Sequence, residues 1–392
     1  MSEFVLWVMG AETSYPKMAN SADLLVRRLR NQRLLASRAR TAEEVVSWLG
    51  AVQAQDFSGA KWAIGQRTPG LTDAGVEQAF NDGHILRTHA LRPTWHFVAP
   101  ADIRWVLELT APRLHRINAL CYRRNGLDGP TLGRAHAALE RALAGGQALT
   151  RTELGAALGR AGVRAAGERL AYVMMYAELE RLVCSGPRRG KQFTYMLFDE
   201  RVPAAPRLGR DDALAALADR YFMSHGPATV RDFSWWSGLT TRDAAAGLDA
   251  VKQRFANVTL DGRTYWFVAS RSRAVAASPR AYLFPNYDEF LIAYRDRELV
   301  RRWPTAAGAP PREAFVHHVV VDGRLRGSWQ RTAANGGVRI DVHLYTPLAR
   351  AEAAALETAA SRCGRFMSLA ASLAVRSGRA PQRTQARASL LE

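Results

Sequence analysis

The chain repeats one order of elements three times, helices followed by two short alternating strands around a tight turn. This repetition limits the fold more than any other feature. The middle copy is the clearest. Thr150 to Leu158 (TRTELGAAL) is a short helical pattern with Thr152 as a cap-like residue, Glu168 to Leu182 is a longer amphipathic helix, and Val183 to Phe198 (VCSGPRRGKQFTYMLF) is a hairpin. Two helices and a hairpin with a basic tip form the pattern of a winged helix. Arg188, Arg189 and Lys191 sit among glycines at that tip, where a phosphate contact or groove insertion would place them. A solvated turn is the competing reading of the same residues.

The third copy runs from about Asp211 to Ser270. Helices are expected over Asp211 to Met223, Thr229 to Trp236 and Thr241 to Phe255. NVTLDGRTYWFVA then pairs two strands across Asp261-Gly262, a strong hairpin signal. Its turn carries only Arg263, so this copy reads as scaffolding. In the first copy Ala22 to Leu35 is a basic amphipathic helix, and Thr41 opens a second with Glu44 three residues on, as in a capping box. Asp73 to Phe80 is helical, and HILRTHALRPTWHFVAP gives two strands around Ala90 to Pro93. Arg87, His89, Arg92 and His96 stud this hairpin, which puts Arg87 and Arg92 within reach of phosphates or a base edge if the hairpin enters a groove.

After Ser278 the pattern changes. YLFPNYDEFLIAYRDR is aromatic and acidic, and a Pro/Ala/Gly linker follows near Pro304 to Pro311. FVHHVVVDGRLRGSWQR alternates across Asp322-Gly323, and VRIDVHLY supplies another strand, so an antiparallel meander or small barrel is expected. Glu352 to Leu373 reads as an Ala-rich helix, and Arg376 onward as a basic disordered tail. His317, His318 and His343 lack a cysteine or clustered carboxylate to complete a metal site, so no metal and no cofactor is expected.

A length of 392 residues suits several domains, and 48% hydrophobic with 23% charged residues is a soluble, globular composition. No apolar run approaches the roughly 20 residues of a membrane span. The opening MSEFVLWVMG carries Glu3 in place of a basic leading region, so it makes a poor secretory signal, and Met18 is an alternative start. Three widely spaced cysteines, Cys121, Cys184 and Cys363, fit a reducing cytoplasm. The net charge of +18 points to a polyanionic partner, most simply nucleic acid. A GC-rich coding sequence accounts for arginine replacing lysine. It does not account for 54 basic residues against 36 acidic ones.

Inside an apolar context lies AVQAQDFSGAKW, Ala51 to Trp62. In an extended segment residues i and i+2 point the same way, so Gln53 and Gln55 converge there, whereas on a helix they diverge by about 200°. Such a pair has two readings. The amides satisfy backbone groups at a helix end, or together they hold a water molecule. An amide carbonyl orients water but is a weak base, so the second reading requires a substrate that activates its own leaving group. An N7-alkylated guanine, already cationic, does so.

VQAQD, LRTHALRPTWHFVAPAD, PNYDEFLIAYRDR and FVHHVVVDGRLRGSW, in that order, resemble the winged-helix DNA glycosylase superfamily typified by AlkZ, the azinomycin-resistance glycosylase. The resemblance runs from about Ala22 to Leu373, and Gln53-Ala54-Gln55 matches the two-glutamine form of its signature. It implies an α+β, C-shaped molecule of three tandem winged-helix modules with a C-terminal antiparallel β-barrel, surrounding double-stranded DNA that carries alkylated purines. The expected boundaries are 1–20 for an extension, 21–130, 131–207 and 208–277 for the modules, 278–375 for the C-terminal domain and 376–392 for the tail. Gln53 and Gln55 would be catalytic in a monofunctional, monomeric, nucleoid-associated enzyme acting on bulky or crosslinked adducts. Arg87, His89, Arg92, His96, Arg188, Arg189 and Lys191 would contact DNA. Lys61 is the only amine near the signature that could open a lyase route, and Asp56, His96 and the Asp288-Glu289 pair are the next catalytic candidates. A winged-helix transcription regulator and a catalytically silent lesion-binding protein are the rival classes.

Overall fold

The computed structural model describes residues 20–205, 207–269, 279–301, 316–334 and 336–377. The extension before Met18, the Pro304 to Pro311 linker and the tail beyond Ser377 lie outside these residues.

The first unit comprises α1 (Ser21–Asn31), α2 (Ala42–Leu49), β1 (Val52–Gln53), α3 (Phe57–Gly65), α4 (Asp73–Asn81), β2 (Leu86–Ala90) and β3 (Thr94–Val98). Local chemistry sets most of these ends. Asn20 Oδ1 accepts from the first N–H groups of α1, and Thr41 Oγ1 from Glu44 N. The Glu44 carboxylate reaches back to Arg40 N, one residue before the cap. α1 stops at Asn31, short of the expected Leu35, because Arg33 and Ala36 adopt left-handed backbone. α2 gives way to β1, which pairs with β3, Val52 opposite Phe97 and Gln53 opposite His96, in a sheet of order β1-β3-β2.

α5 (Pro100–Arg124) follows, 25 residues long with Pro112 inside it. The second unit holds α6 (Gly129–Leu143), β4 (Leu149–Thr150), α7 (Arg151–Arg160), α8 (Gly167–Leu179), β5 (Val183–Ser185) and β6 (Thr194–Leu197). Thr150, not Thr152, caps α7, and it forms a reciprocal capping box with Glu153. After α9 (Phe198–Arg201), the third unit holds α10 (Arg210–His225), α11 (Val230–Ser237), α12 (Thr241–Val251), β7 (Ala256–Leu260) and β8 (Arg263–Phe267). Asp261 and Gly262 both take positive φ at its turn, the conformation that tight hairpins select.

The C-terminal part contains β9 (Ala281–Phe284), α13 (Glu289–Ile292), α14 (Glu298–Arg301), β10 (His317–Val321), β11 (Arg324–Ala334), β12 (Gly337–Leu344), α15 (Arg350–Met367) and β13 (Ala370–Ser377). β9 to β12 form an antiparallel meander. The sheet is not a closed barrel among the described residues; its order is β13-β12-β11-β10-β9, with β13 parallel to β12. β13 replaces the end of the expected Glu352 to Leu373 helix. Ser368 turns left-handed and stops α15, and the chain returns along β12 as far as Ser377, two residues into the expected tail.

The cores do not follow the repeats. One joins α2, α3, β1 and β3 to the meander and α15, with the Trp62 and Phe366 rings 5.1 Å apart. Another joins α10, α11 and α12 to α5 and the β2–β3 hairpin. A third places α1 between the β7–β8 hairpin and the sheet. The segment carrying Gln53 and Gln55 therefore lies where the first unit, the third unit and the loop after β9 meet.

Candidate active site

Gln53 ends β1 and Gln55 lies two residues on, in extended backbone ahead of α3. Ala54 is tied between them on both sides: its N–H donates to Trp95 O at 2.7 Å, and its carbonyl accepts from Arg87 Nε at 3.1 Å. Both amide oxygens meet the same hairpin. Gln53 Oε1 accepts from Arg92 Nη2 at 3.0 Å, and Gln55 Oε1 from Trp95 N at 3.4 Å. Guanidinium and backbone N–H only donate, so in both residues the carbonyl oxygen is the atom presented to the hairpin. Gln53 is buried and Gln55 half-buried.

Beneath Gln53 lies Glu289, fully buried at the start of α13. Its Oε1 accepts from Gln53 N at 2.9 Å and its Oε2 from Trp236 Nε1 at 2.9 Å, with His225 Nε2 3.6 Å from Oε2. Burial pushes this carboxyl up, but His225, the Gln53 N–H and Arg92 outweigh it and hold the group below the usual carboxylate range. Asp288, also fully buried, takes a two-pronged contact from Arg67 at 2.8 Å on each oxygen. Neither carboxylate faces a cleft. The pair anchors the loop after β9 beneath the glutamines, and the sequence signalled it only as an acidic dipeptide among aromatics. Asp56 caps α3 through Gly59 N at 3.0 Å.

Several residues expected on an exposed hairpin are interior. Arg87 is buried with its guanidinium 4.2 Å from the Trp95 ring centroid and 4.5 Å from that of Phe193, and burial pulls its pKa down to about 10. His89 is buried against Glu178, which accepts from both its ring Nδ1 and its backbone N–H. His96 is sealed in, with Nδ1 donating to Thr94 O, and burial followed by the Arg92 charge lowers its pKa to about 3. As placed, these three show no face to a phosphate. Arg87 and His89 read as surface residues from sequence alone, because Ala54, Phe193 and Glu178, which meet them, come from distant segments.

The hairpin tip is also docked, not free. A Cβ at Gly238 would lie 2.0 Å from Leu91 O, so only glycine lets the end of α11 meet the β2–β3 turn. In the second unit Arg188 turns inward, its Nη1 on Glu77 at 2.9 Å and its guanidinium 5.1 Å from the rings of Phe57 and Phe193, clamping this hairpin to the first unit. Arg189 is half-exposed and paired with Glu153 at 2.8 Å. Lys191 is exposed. Lys61 is buried between Asp73 and Glu77, each 2.6 Å from Nζ, and is not a free amine. No cluster of metal-ligating side chains occurs among the described residues, and none of their helices is long and apolar enough to cross a membrane.

The model of the AlkZ-like DNA glycosylase family matches residues 46–366, a span that holds the glutamines, the docked hairpin, both buried carboxylates and the meander. The chain belongs to this family of DNA glycosylases. A curated relative, an interstrand DNA cross-link repair glycosylase of Streptomyces sahachiroi, is 25% identical over 316 residues, covering 74% of this chain and 82% of its own length. The solved structure of the Streptomyces sahachiroi DNA glycosylase AlkZ shares the fold with a TM-score of 0.74 at 23% identity, over 92% of this chain and 100% of that one. Within the AlkZ-like frame the docked hairpin takes on a clear task. It holds the Gln53 and Gln55 amide oxygens through Arg92 Nη2 and Trp95 N.

Proposed function

We propose that the protein is a monofunctional DNA glycosylase that hydrolyses the N-glycosidic bond of N7-alkylated purines in duplex DNA. The observation that carries this reading is the convergence of two amide oxygens, those of Gln53 and Gln55, on one rigid hairpin above a buried anion. Each oxygen has a second lone pair. A water that donates one hydrogen to each amide is left with its own lone pairs outward, toward C1′ of the sugar. N7 alkylation makes the purine cationic, so the C1′–N9 bond breaks with its electrons returning to a base that leaves neutral. The oriented water then closes on the oxocarbenium carbon and loses its surplus proton to solvent. This chemistry needs positioning and mild electrostatic help, not a strong base.

Lys61, paired with two carboxylates, supports hydrolysis over a Schiff-base route. Read as winged helices, the three helix and hairpin units and the +18 net charge suit a monomer wrapped in a C shape on duplex DNA. Bulky and crosslinked adducts belong in the substrate range because a relative of the same family is a cross-link repair glycosylase; such an activity would protect a cell against DNA-alkylating natural products. The test is conversion of duplex DNA containing N7-methylguanine into abasic sites, read as alkali-sensitive breaks. Strand breaks above the spontaneous background are expected. Tight binding without breaks would leave a silent lesion-binding protein instead.

A further inference from the structure

Among the described phenylalanines, tryptophans and tyrosines only Trp235 is exposed, 44%, while its neighbour Trp236 is fully buried. An open indole is unusual in a chain that buries so many rings, and this one is not loose. Its Nε1–H donates to Ile292 O at 3.0 Å, which fixes the ring on the last residue of α13. The first residue of the same helix, Glu289, holds Gln53 N. One four-residue helix therefore sets both the exposed ring and the amide of the reaction centre.

A second link runs through Arg92, whose Cζ lies 5.9 Å from the Trp235 centroid and whose Nη2 donates to Gln53 Oε1 at 3.0 Å. With a C–N bond of about 1.33 Å between those two Arg92 atoms, the ring centre lies within about 10 Å of Gln53 Oε1. Successive bases along a strand are spaced by about 3.4 Å, so the ring lies at most about three stacking layers from the Gln53 amide oxygen. The guanidinium lies over the ring at the outer limit of cation–π contact, about 6 Å. With its polar edge already bonded, the indole offers a flat apolar surface beside a cation.

We propose that Trp235 is a stacking platform for a flat π-system of the substrate beside the scissile nucleotide. That π-system is either a neighbouring nucleobase or the planar aromatic portion of a bulky adduct. The proposal rests on the reading of Gln53 and Gln55 as the reaction centre and adds to it a residue that selects substrate.

The test compares the parent, Trp235→Ala and Trp235→Phe in equilibrium binding and single-turnover excision. Two duplexes serve as substrates, one with N7-methylguanine and one with a polycyclic aromatic group on guanine N7. Trp235→Ala should weaken binding by about 5- to 150-fold, the range for stacking one base on an aromatic side chain, and Trp235→Phe should recover most of it. Loss on both duplexes identifies a nucleobase as the partner. Loss confined to the aromatic adduct identifies the adduct. Parent behaviour of Trp235→Ala on both duplexes would overturn the proposal, and so would a Trp235→Phe loss as large as that of Trp235→Ala, since the indole N–H on Ile292 would then be what matters. If the parent excises from neither duplex while Trp235→Ala still loses affinity, the reaction-centre reading fails and the platform stands.

Discussion

The backbone N–H of Gln53 donates to the buried carboxylate of Glu289 across 236 residues of sequence, at 2.9 Å. Glu289 is thereby part of the support for the Gln53 strand, although it lies outside the segment that carries the glutamines. Replacing it with glutamine keeps the shape but turns an amide N–H₂ toward Trp236 Nε1 or Gln53 N, both donors. Glu289→Gln should lower stability by about 2–4 kcal/mol, the cost of breaking a buried charge-assisted pair. It should also slow excision at saturating DNA, because Gln53 loses its anchor. Thermal unfolding together with single-turnover excision checks this, and a variant with parent values in both would remove Glu289 from the support.

Affinity for duplex DNA should fall with salt, with a log–log slope of roughly −4 or steeper, as several phosphate contacts release counterions. A flat response would contradict an electrostatic interface. The structure also separates two residues that looked equivalent in sequence. Lys191→Glu, on an exposed side chain, should weaken binding on all sequences alike and flatten the slope by about 1. Arg188→Glu should instead unfold the seam between the first two units, since it sets a carboxylate against Glu77 and removes a cation from two aromatic rings. Parent thermal stability of Arg188→Glu would overturn its role as a clamp.

That contrast shows what the sequence could and could not convey. Caps and turns were legible because their chemistry is complete within a few residues, as at Thr41, Asp261-Gly262 and Asp322-Gly323. The Gln53 and Gln55 pair stood out because amides are costly inside apolar surroundings. The burial of Arg87 was not legible because Ala54 and Phe193 are distant from it in sequence, and that of Arg188 because Glu77 is. β13 was misread for a related reason. Its alanine-rich sequence favours helix, and pairing with β12 overrides that preference.

Stability should fall on acidification below about pH 6.5. His96 has its pKa lowered to about 3 in the fold against about 6.5 when unfolded, so between those values the unfolded chain binds a proton that the folded one excludes. Stability is then lost at about 1.4 kcal/mol per pH unit for this residue as pH falls. His225, lowered by burial, and Glu289, held below the carboxylate range, act in the same direction, Glu289 at lower pH. Urea midpoints from pH 7 to pH 4.5 should trace the decline, and His96→Asn, which keeps a donor for Thr94 O, should flatten it by about one proton. A midpoint unchanged between pH 7 and pH 5 would contradict this.

The most direct test of the account is single-turnover excision of N7-methylguanine from duplex DNA by the parent, Gln53→Ala, Gln55→Ala and the double variant, with DNA affinity measured alongside. If the two amides hold one water, each single replacement should cost about 10- to 1,000-fold, roughly 1.4 to 4 kcal/mol, with little change in affinity. The double variant should lose less than the two singles combined, because both groups act on the same molecule. Gln55→Asp, which adds charge toward the oxocarbenium carbon, should retain more activity than Gln55→Ala. Excision at the parent rate by both folded alanine variants would contradict the account and assign Gln53 and Gln55 to the structure of the hairpin alone.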